Sequence, residues 1–212
     1  MLCLWRWDGA GKKSLHAAEQ DTLEGKVKRA AWQEQIAGIP PERFVFLDES
    51  GVTTDMTRRY GRARRGERVR EGTPGGHWQT VTMLGAISSE GWLATMTVCA
   101  PTDAEVFLAY LHEVLCPALR PGQIVVMDNL AAHKVHGVAE ALAAVGAELL
   151  YLPPYSPDFN PIEACWFVVK QCLRKLKARS LAALDDAIPI ALARVSSQTV
   201  ANCFRHCGYA LP

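Results

Sequence analysis

The sequence predicts an α/β fold, and three observations carry that reading. Two short apolar runs, Phe44 to Leu47 and Ile124 to Met127, each lead straight into an aspartate, Asp48 and Asp128. Near-continuous apolar runs of this length are expected of strands buried on both faces. Two further β-prone segments, 80–87 and 92–99, flank Ser88-Ser89-Glu90-Gly91, a hairpin-type turn that makes them an antiparallel pair. Between and after the later strands, apolar residues recur at helical spacing.

Taken in order, residues 11–38 are polar and helix-prone with a weak apolar stripe, and read as a linker helix ended by Gly38 and Pro40. The strand over 43–48 follows. The stretch from Arg58 to Gly76 lacks apolar periodicity and is rich in arginine and glycine, so it reads as an exposed loop or ribbon-like turns. After the hairpin, Thr102 is a suitable cap for a helix carrying Val106, Phe107, Tyr110, Leu111 and Val114 as far as Pro117. A strand over 123–127, a helix over 133–145 stopped by Gly146, and a strand over 148–152 come next. Asn160, Pro161 and Glu163 then fit the N-cap, N1 and N3 positions of a helix. Its Ile162, Trp166, Val169, Leu173 and Leu176 share one face, while Glu163, Lys170, Arg174 and Lys177 share another. A last helix over 180–195 packs through Leu181, Leu184, Ile188 and Leu192, with Pro189 a site for a kink.

A chain of 212 residues suits one domain. No apolar run approaches the ~20 residues of a membrane helix, and the first eight residues, interrupted by Arg6 and Asp8, are too short and charged for a secretory signal. The expected location is the cytoplasm. Seven scattered cysteines suit reduced packing thiols, and Cys203, His206 and Cys207 lack a second ligand pair at zinc-site spacing. The net charge of +1 conceals segregation: Arg58 to Arg70 holds seven arginines and one acid, and Lys170 to Arg179 five bases and none. Two basic segments on an otherwise acidic body point to a polyanion. Arg58, Arg59, Arg62, Arg64, Arg65, Lys170, Arg174 and Lys177 are the expected DNA contacts, although either run taken alone reads as a solvated charged face.

If the two aspartate-bearing strands are neighbours, Asp48 and Asp128 converge, and their mutual repulsion favours a bound cation. Glu163 adds a third oxygen donor. An all-oxygen set suits Mg2+ or Mn2+, and two such ions ~3.5–4 Å apart serve phosphodiester cleavage and transfer. Each acid has a plainer reading: strand-end aspartates often cap the next turn, and an acid at N3 is a common capping-box residue.

The string Leu152-Pro-Pro-Tyr-Ser-Pro-Asp-Phe-Asn-Pro-Ile-Glu163, with thirty-four residues between Asp128 and Glu163, and the segment Met127-Asp-Asn-Leu-Ala-Ala-His133 together resemble the signature of mariner-type bacterial insertion-sequence transposases. Phe46-Leu-Asp-Glu-Ser-Gly51, Arg58-Arg-Tyr-Gly-Arg62 and Gly76-His-Trp78 extend the resemblance over most of the chain. It implies a ribonuclease-H-like mixed sheet, three antiparallel strands followed by parallel ones, flanked by helices. It also implies that Asp48, Asp128 and Glu163 are the catalytic, metal-binding DDE triad, with two divalent ions and DNA, both element ends and target, as partners. Asn129 and His133 match flanking polar positions of a candidate second layer around the acids; His133 reads as a second-layer or substrate contact, or equally as a neutral histidine satisfied at a helix start. A homodimer in a synaptic complex is expected. Such transposases usually carry helix-turn-helix modules ahead of the catalytic domain. Residues 1–40 are therefore expected to be the linker remnant of a longer or two-piece protein, and 41–212 its catalytic domain. A non-catalytic DNA-binding remnant and a general nuclease of the same fold are the alternatives.

Overall fold

A computed structural model of the chain describes residues 16–129 and 136–209. Its centre is a five-stranded sheet in the order β3-β2-β1-β4-β5. The strands are β1 (Phe44–Thr53), β2 (Thr80–Ser88), β3 (Gly91–Val98), β4 (Ile124–Met127) and β5 (Glu148–Tyr151). β1 pairs antiparallel with β2 and parallel with β4, while β2–β3 is antiparallel and β4–β5 parallel. The mixed sheet expected from the sequence is therefore present, with the change of direction at β1.

The helices are α1 (Leu23–Ile36), α2 (Ala104–Tyr110), α3 (Val138–Ala144), α4 (Pro161–Leu176), α5 (Leu181–Leu192) and α6 (Ser197–His206). Alternation along the strands divides the core into two layers. Phe44, Phe46, Ile124 and Val126 face α4, α5 and α6, joined by Trp32 from α1. Val45, Leu47, Val125 and Met127 face α2 and α3. Aromatic edges seal the first layer, with Phe46 4.9 Å from Tyr209 and 5.3 Å from Phe204, ring centre to ring centre. The Tyr209 hydroxyl donates to the Phe159 carbonyl at 2.8 Å, which anchors the turn ahead of α4.

Several local expectations need correction. β1 does not end at Asp48 but runs on to Thr53, because residues 49–53 pair with β2 out to Thr80, a long-range partner that an apolar run cannot reveal. The cap of α2 is Asp103, whose carboxylate accepts from the Val106 amide at 2.9 Å, not Thr102. Beyond Tyr110 that helix continues through a π turn, Leu111–Leu115. Leu176, counted on the buried face of α4, is exposed at its last turn. Pro189 sits within α5 without ending it. The final helix α6 was not anticipated, although Ser196 capping it and the Val200, Cys203, Phe204 spacing are visible signals. Helix α1 starts only at Leu23, behind its cap Thr22, and its Trp32 is buried in the main core, so it is docked against the sheet-bearing body.

Candidate active site

The sheet register brings the two aspartates together. Phe44, Val45 and Phe46 pair with Ile124, Val125 and Val126, and carrying that register two residues further sets Asp48 beside Asp128. By alternation both side chains leave the sheet on the side of Phe46 and Val126, the side covered by α4. Asp48 is 9% exposed, within β1, while Asp128 lies just past β4. The first turn of α4 supplies Glu163 at N3, after Asn160 as N-cap and Pro161 at N1, as the sequence suggested. Asp48, Asp128, Asn129, Asn160 and Glu163 line one cavity of about 400 Å³, walled by Leu152 to Pro157. His133 lies outside the described residues.

The position of α4 over the acids depends on Gly85. This residue pairs with Asp48 across β1–β2, and a β-carbon there would stand 2.7 Å from the Trp166 ring. Trp166 is three residues after Glu163 and also packs on Trp92, ring centres 4.8 Å apart. The glycine thus lets a large ring settle directly beside Asp48.

The wall of the cavity is braced from α1, a contribution that sequence reasoning missed. The Arg29 guanidinium donates to the Ser156 hydroxyl at 2.8 Å and to Asp158 Oδ1 at 3.0 Å, pairs with Asp158 Oδ2, and stacks 4.1 Å from the centre of the Phe159 ring. Gln20 donates to the Tyr155 carbonyl at 2.6 Å. The hydrogen bonds from Arg29 hold the Asp158 carboxyl below its usual range, against partial burial. An acid inside an otherwise apolar, proline-rich turn was the one available hint that a cation would be needed.

Burial raises the pKa of Glu163; Lys170 opposes this and the negative charge of Asp128 adds to it. Two carboxylates facing one cavity therefore resist joint ionisation, a repulsion that a divalent cation would relieve. Among the described residues no three Asp, Glu, His or Cys side chains are grouped closely enough to hold a metal ion as they stand. The all-oxygen donors of Asp48, Asp128 and Glu163 would suit Mg2+, which takes one or two carboxylates together with waters and substrate phosphates. Asn160 Oδ1 is buried in the same wall without a hydrogen-bond partner among the described residues.

Of the expected DNA contacts, Arg58, Arg59, Arg62, Arg64 and Arg65 lie in an exposed, irregular segment between β1 and β2. Arg58 and Arg59 nevertheless share a cavity with Arg174 of α4, so the two basic runs meet in space. Arg179 fixes the root of the segment, donating to the Thr54 and Met56 carbonyls at 3.0 and 2.9 Å and to the Thr57 hydroxyl at 2.8 Å. Lys177 does not continue the α4 stripe. It is the C-cap, in the left-handed conformation, and its ammonium pairs with Glu71. Cys203 lies 3.8 Å from Cys165, sulfur to sulfur, in the buried layer beneath α4, in keeping with a packing role.

The family model described as DDE superfamily endonuclease matches residues 43–185, which contain all three acids. The chain belongs to the DDE superfamily endonucleases. Among solved structures, this DDE endonuclease resembles a pre-cleavage Mos1 transpososome at a TM-score of 0.78 and 15% identity, covering 95% of this chain and 64% of that one. A Mos1 mariner paired-end complex with Mn gives 0.73 and 15%, with 95% and 64% covered. The isolated catalytic domain of Mos1 mariner transposase gives 0.64 and 14%, with 85% and 84% covered. These likenesses establish a shared ribonuclease-H-like fold. The DDE endonuclease spans 64% of the length of the chain in the pre-cleavage complex. No curated protein matches it in sequence.

Proposed function

We propose that this chain is the catalytic domain of a DNA transposase, in which Asp48, Asp128 and Glu163 hold divalent metal for strand cleavage and transfer. The observation that carries the reading is one cavity lined by Asp48 from within β1, Asp128 from just past the parallel β4, and Glu163 from the first turn of α4. Membership of the DDE endonucleases and the fold shared with Mos1 complexes support it.

Two Mg2+ or Mn2+ ions held by these carboxylates would activate the attacking hydroxyl and stabilise the leaving oxygen. The protein's own part is positioning. β1 and β4 hold Asp48 and Asp128 at fixed separation, α4 presents Glu163, and Asn129 and Asn160 offer amide groups at the cavity wall. Arg58, Arg59 and Arg174 would take backbone phosphates, with Lys170 beside Glu163 and Arg62, Arg64 and Arg65 further along the exposed segment. Lys177, paired with Glu71, would support the segment rather than touch DNA. Residues 41–212 are the proposed catalytic unit and 1–40 the lead from DNA-reading modules, with a second copy completing a synaptic complex. Among the described residues no helix is long and apolar enough to cross a membrane, and the proposed setting is DNA in the cytoplasm.

The test is incubation of the chain with supercoiled and terminal-repeat DNA in Mg2+ or Mn2+, beside Asp128→Ala. Metal-dependent nicking and joined products from the unaltered chain alone support the proposal. Equal activity in both proteins overturns it, hydrolysis without joined strands indicates a nuclease, and salt-sensitive binding without cleavage in any metal indicates a DNA-binding remnant.

A further inference from the structure

Arg58, Arg59, Tyr60, Gln171 and Arg174 line an open cavity of about 530 Å³, separate from the one that holds the acids. Its chemistry is unusual for a protein surface. Three guanidinium groups line it with no carboxylate among them, and none of the three has an ion-pair partner among the described residues. In the adjoining cavity the same three arginines are joined by one acid, Asp55, which accepts a hydrogen bond from the Thr53 hydroxyl and leaves a net positive charge across the two cavities. Tyr60 is 90% exposed, so its ring faces are free of protein packing. A large aromatic side chain left in water gains nothing for the fold, whereas one set among arginines offers a stacking face where a charged backbone is already held. Gln171 adds an amide able both to donate and to accept. The site has a fixed base, because Arg179 ties Thr54, Met56 and Thr57 just before Arg58. Arg174 stands eleven positions after Glu163 on α4, about 16 Å further along the helix axis. Phe167, also exposed, lies on α4 between Glu163 and Gln171.

We propose that this cavity receives an unpaired nucleotide of the DNA substrate, its phosphates on Arg58, Arg59 and Arg174, its base stacked on Tyr60 and its edge met by Gln171. The assignment rests on the DNA reading above and adds to it a preference for single-stranded DNA at a defined place. Duplex DNA offers phosphates to the arginines but keeps its base faces stacked inside the helix, so only an unpaired base can use Tyr60.

The experiment compares binding of the full chain to fluorescent oligo(dT) and to a duplex of equal length, in Ca2+ to prevent cleavage, with Tyr60→Ala, Tyr60→Phe and Arg59→Ala beside the unaltered chain. Tyr60→Ala is expected to weaken oligo(dT) binding roughly tenfold and duplex binding less than twofold, since one base stack is lost. Tyr60→Phe should retain binding, and Arg59→Ala should weaken both DNAs and lower the salt dependence. Duplex binding with no selective loss for oligo(dT) in Tyr60→Ala overturns the cavity assignment alone. Absence of binding to either DNA by the unaltered chain overturns the DNA reading and the assignment with it.

Discussion

Trp166 lies against Gly85 so closely that no side chain could stand between them, and Gly85 is the cross-strand partner of Asp48. The helix that carries Glu163 is thus seated on the strand pair that carries Asp48. Gly85→Ala is expected to force the ring away, destabilising the fold by about 1–3 kcal/mol, as overpacking in a filled core does. Urea unfolding should show a lower midpoint at unchanged m, and metal-dependent cleavage should fall with it. A fully active, equally stable variant would mean that Trp166 does not set the position of α4.

The pKa of Glu163 is raised by burial and by Asp128. A raised carboxyl keeps its proton in the folded state at a pH where the unfolded chain has lost it. Its ionisation therefore lowers stability as pH rises from the unfolded carboxylate range through the folded pKa, and the deficit persists above. In metal-free protein, Glu163→Gln should accordingly raise Tm at neutral pH and leave it unchanged well below the carboxylate range. Asp128→Asn should lower the Glu163 pKa, followed by carboxyl NMR titration, because one source of repulsion is gone. No movement would show that Asp128 does not act on Glu163.

Loss of catalysis should follow any of the three acids. Asp48→Asn, Asp128→Asn and Glu163→Gln are each expected to reduce metal-dependent cleavage on the order of a hundredfold or more, the scale of losing metal stabilisation of the reacting phosphate. Gel assays in Mg2+ and Mn2+ measure this, and an Asp48 variant with normal cleavage would remove it from the site.

Arg29 braces the turn before Glu163 through Ser156 and Asp158. Arg29→Met should cost about 1 kcal/mol, modest because Asp158 is half exposed. It should also return the Asp158 carboxyl to its ordinary range. A depressed carboxyl stabilises the fold above its unfolded pKa and loses that contribution as pH falls through the folded one. The stability gap between Arg29→Met and the unaltered chain should therefore close in acid, a comparison of Tm across pH.

Much of the site was legible in local sequence. Asp128 follows an apolar run that is a strand, and Asn160, Pro161 and Glu163 take the cap and first-turn positions their chemistry favours. Asp48 was recognised, but as the end of a strand rather than a position within one, because the second half of β1 owes its conformation to pairing with β2. Arg29 and Gln20 were missed, since contacts across more than 120 residues leave no periodicity to read.

The sequence by itself determined the order of strands and helices as far as α5, the residue at which α4 begins, and which acids and basic runs were available. These follow from side-chain periodicity, capping and charge, all of which act within a few residues. Only the tertiary structure decided that Asp48 and Asp128 leave the same face of the sheet towards α4, that Lys177 is taken by Glu71, and that Arg174 meets Arg58 and Arg59 around Tyr60. Strand register and packing across distant segments settle these points, and a one-residue slip in that register would send either aspartate to the opposite layer.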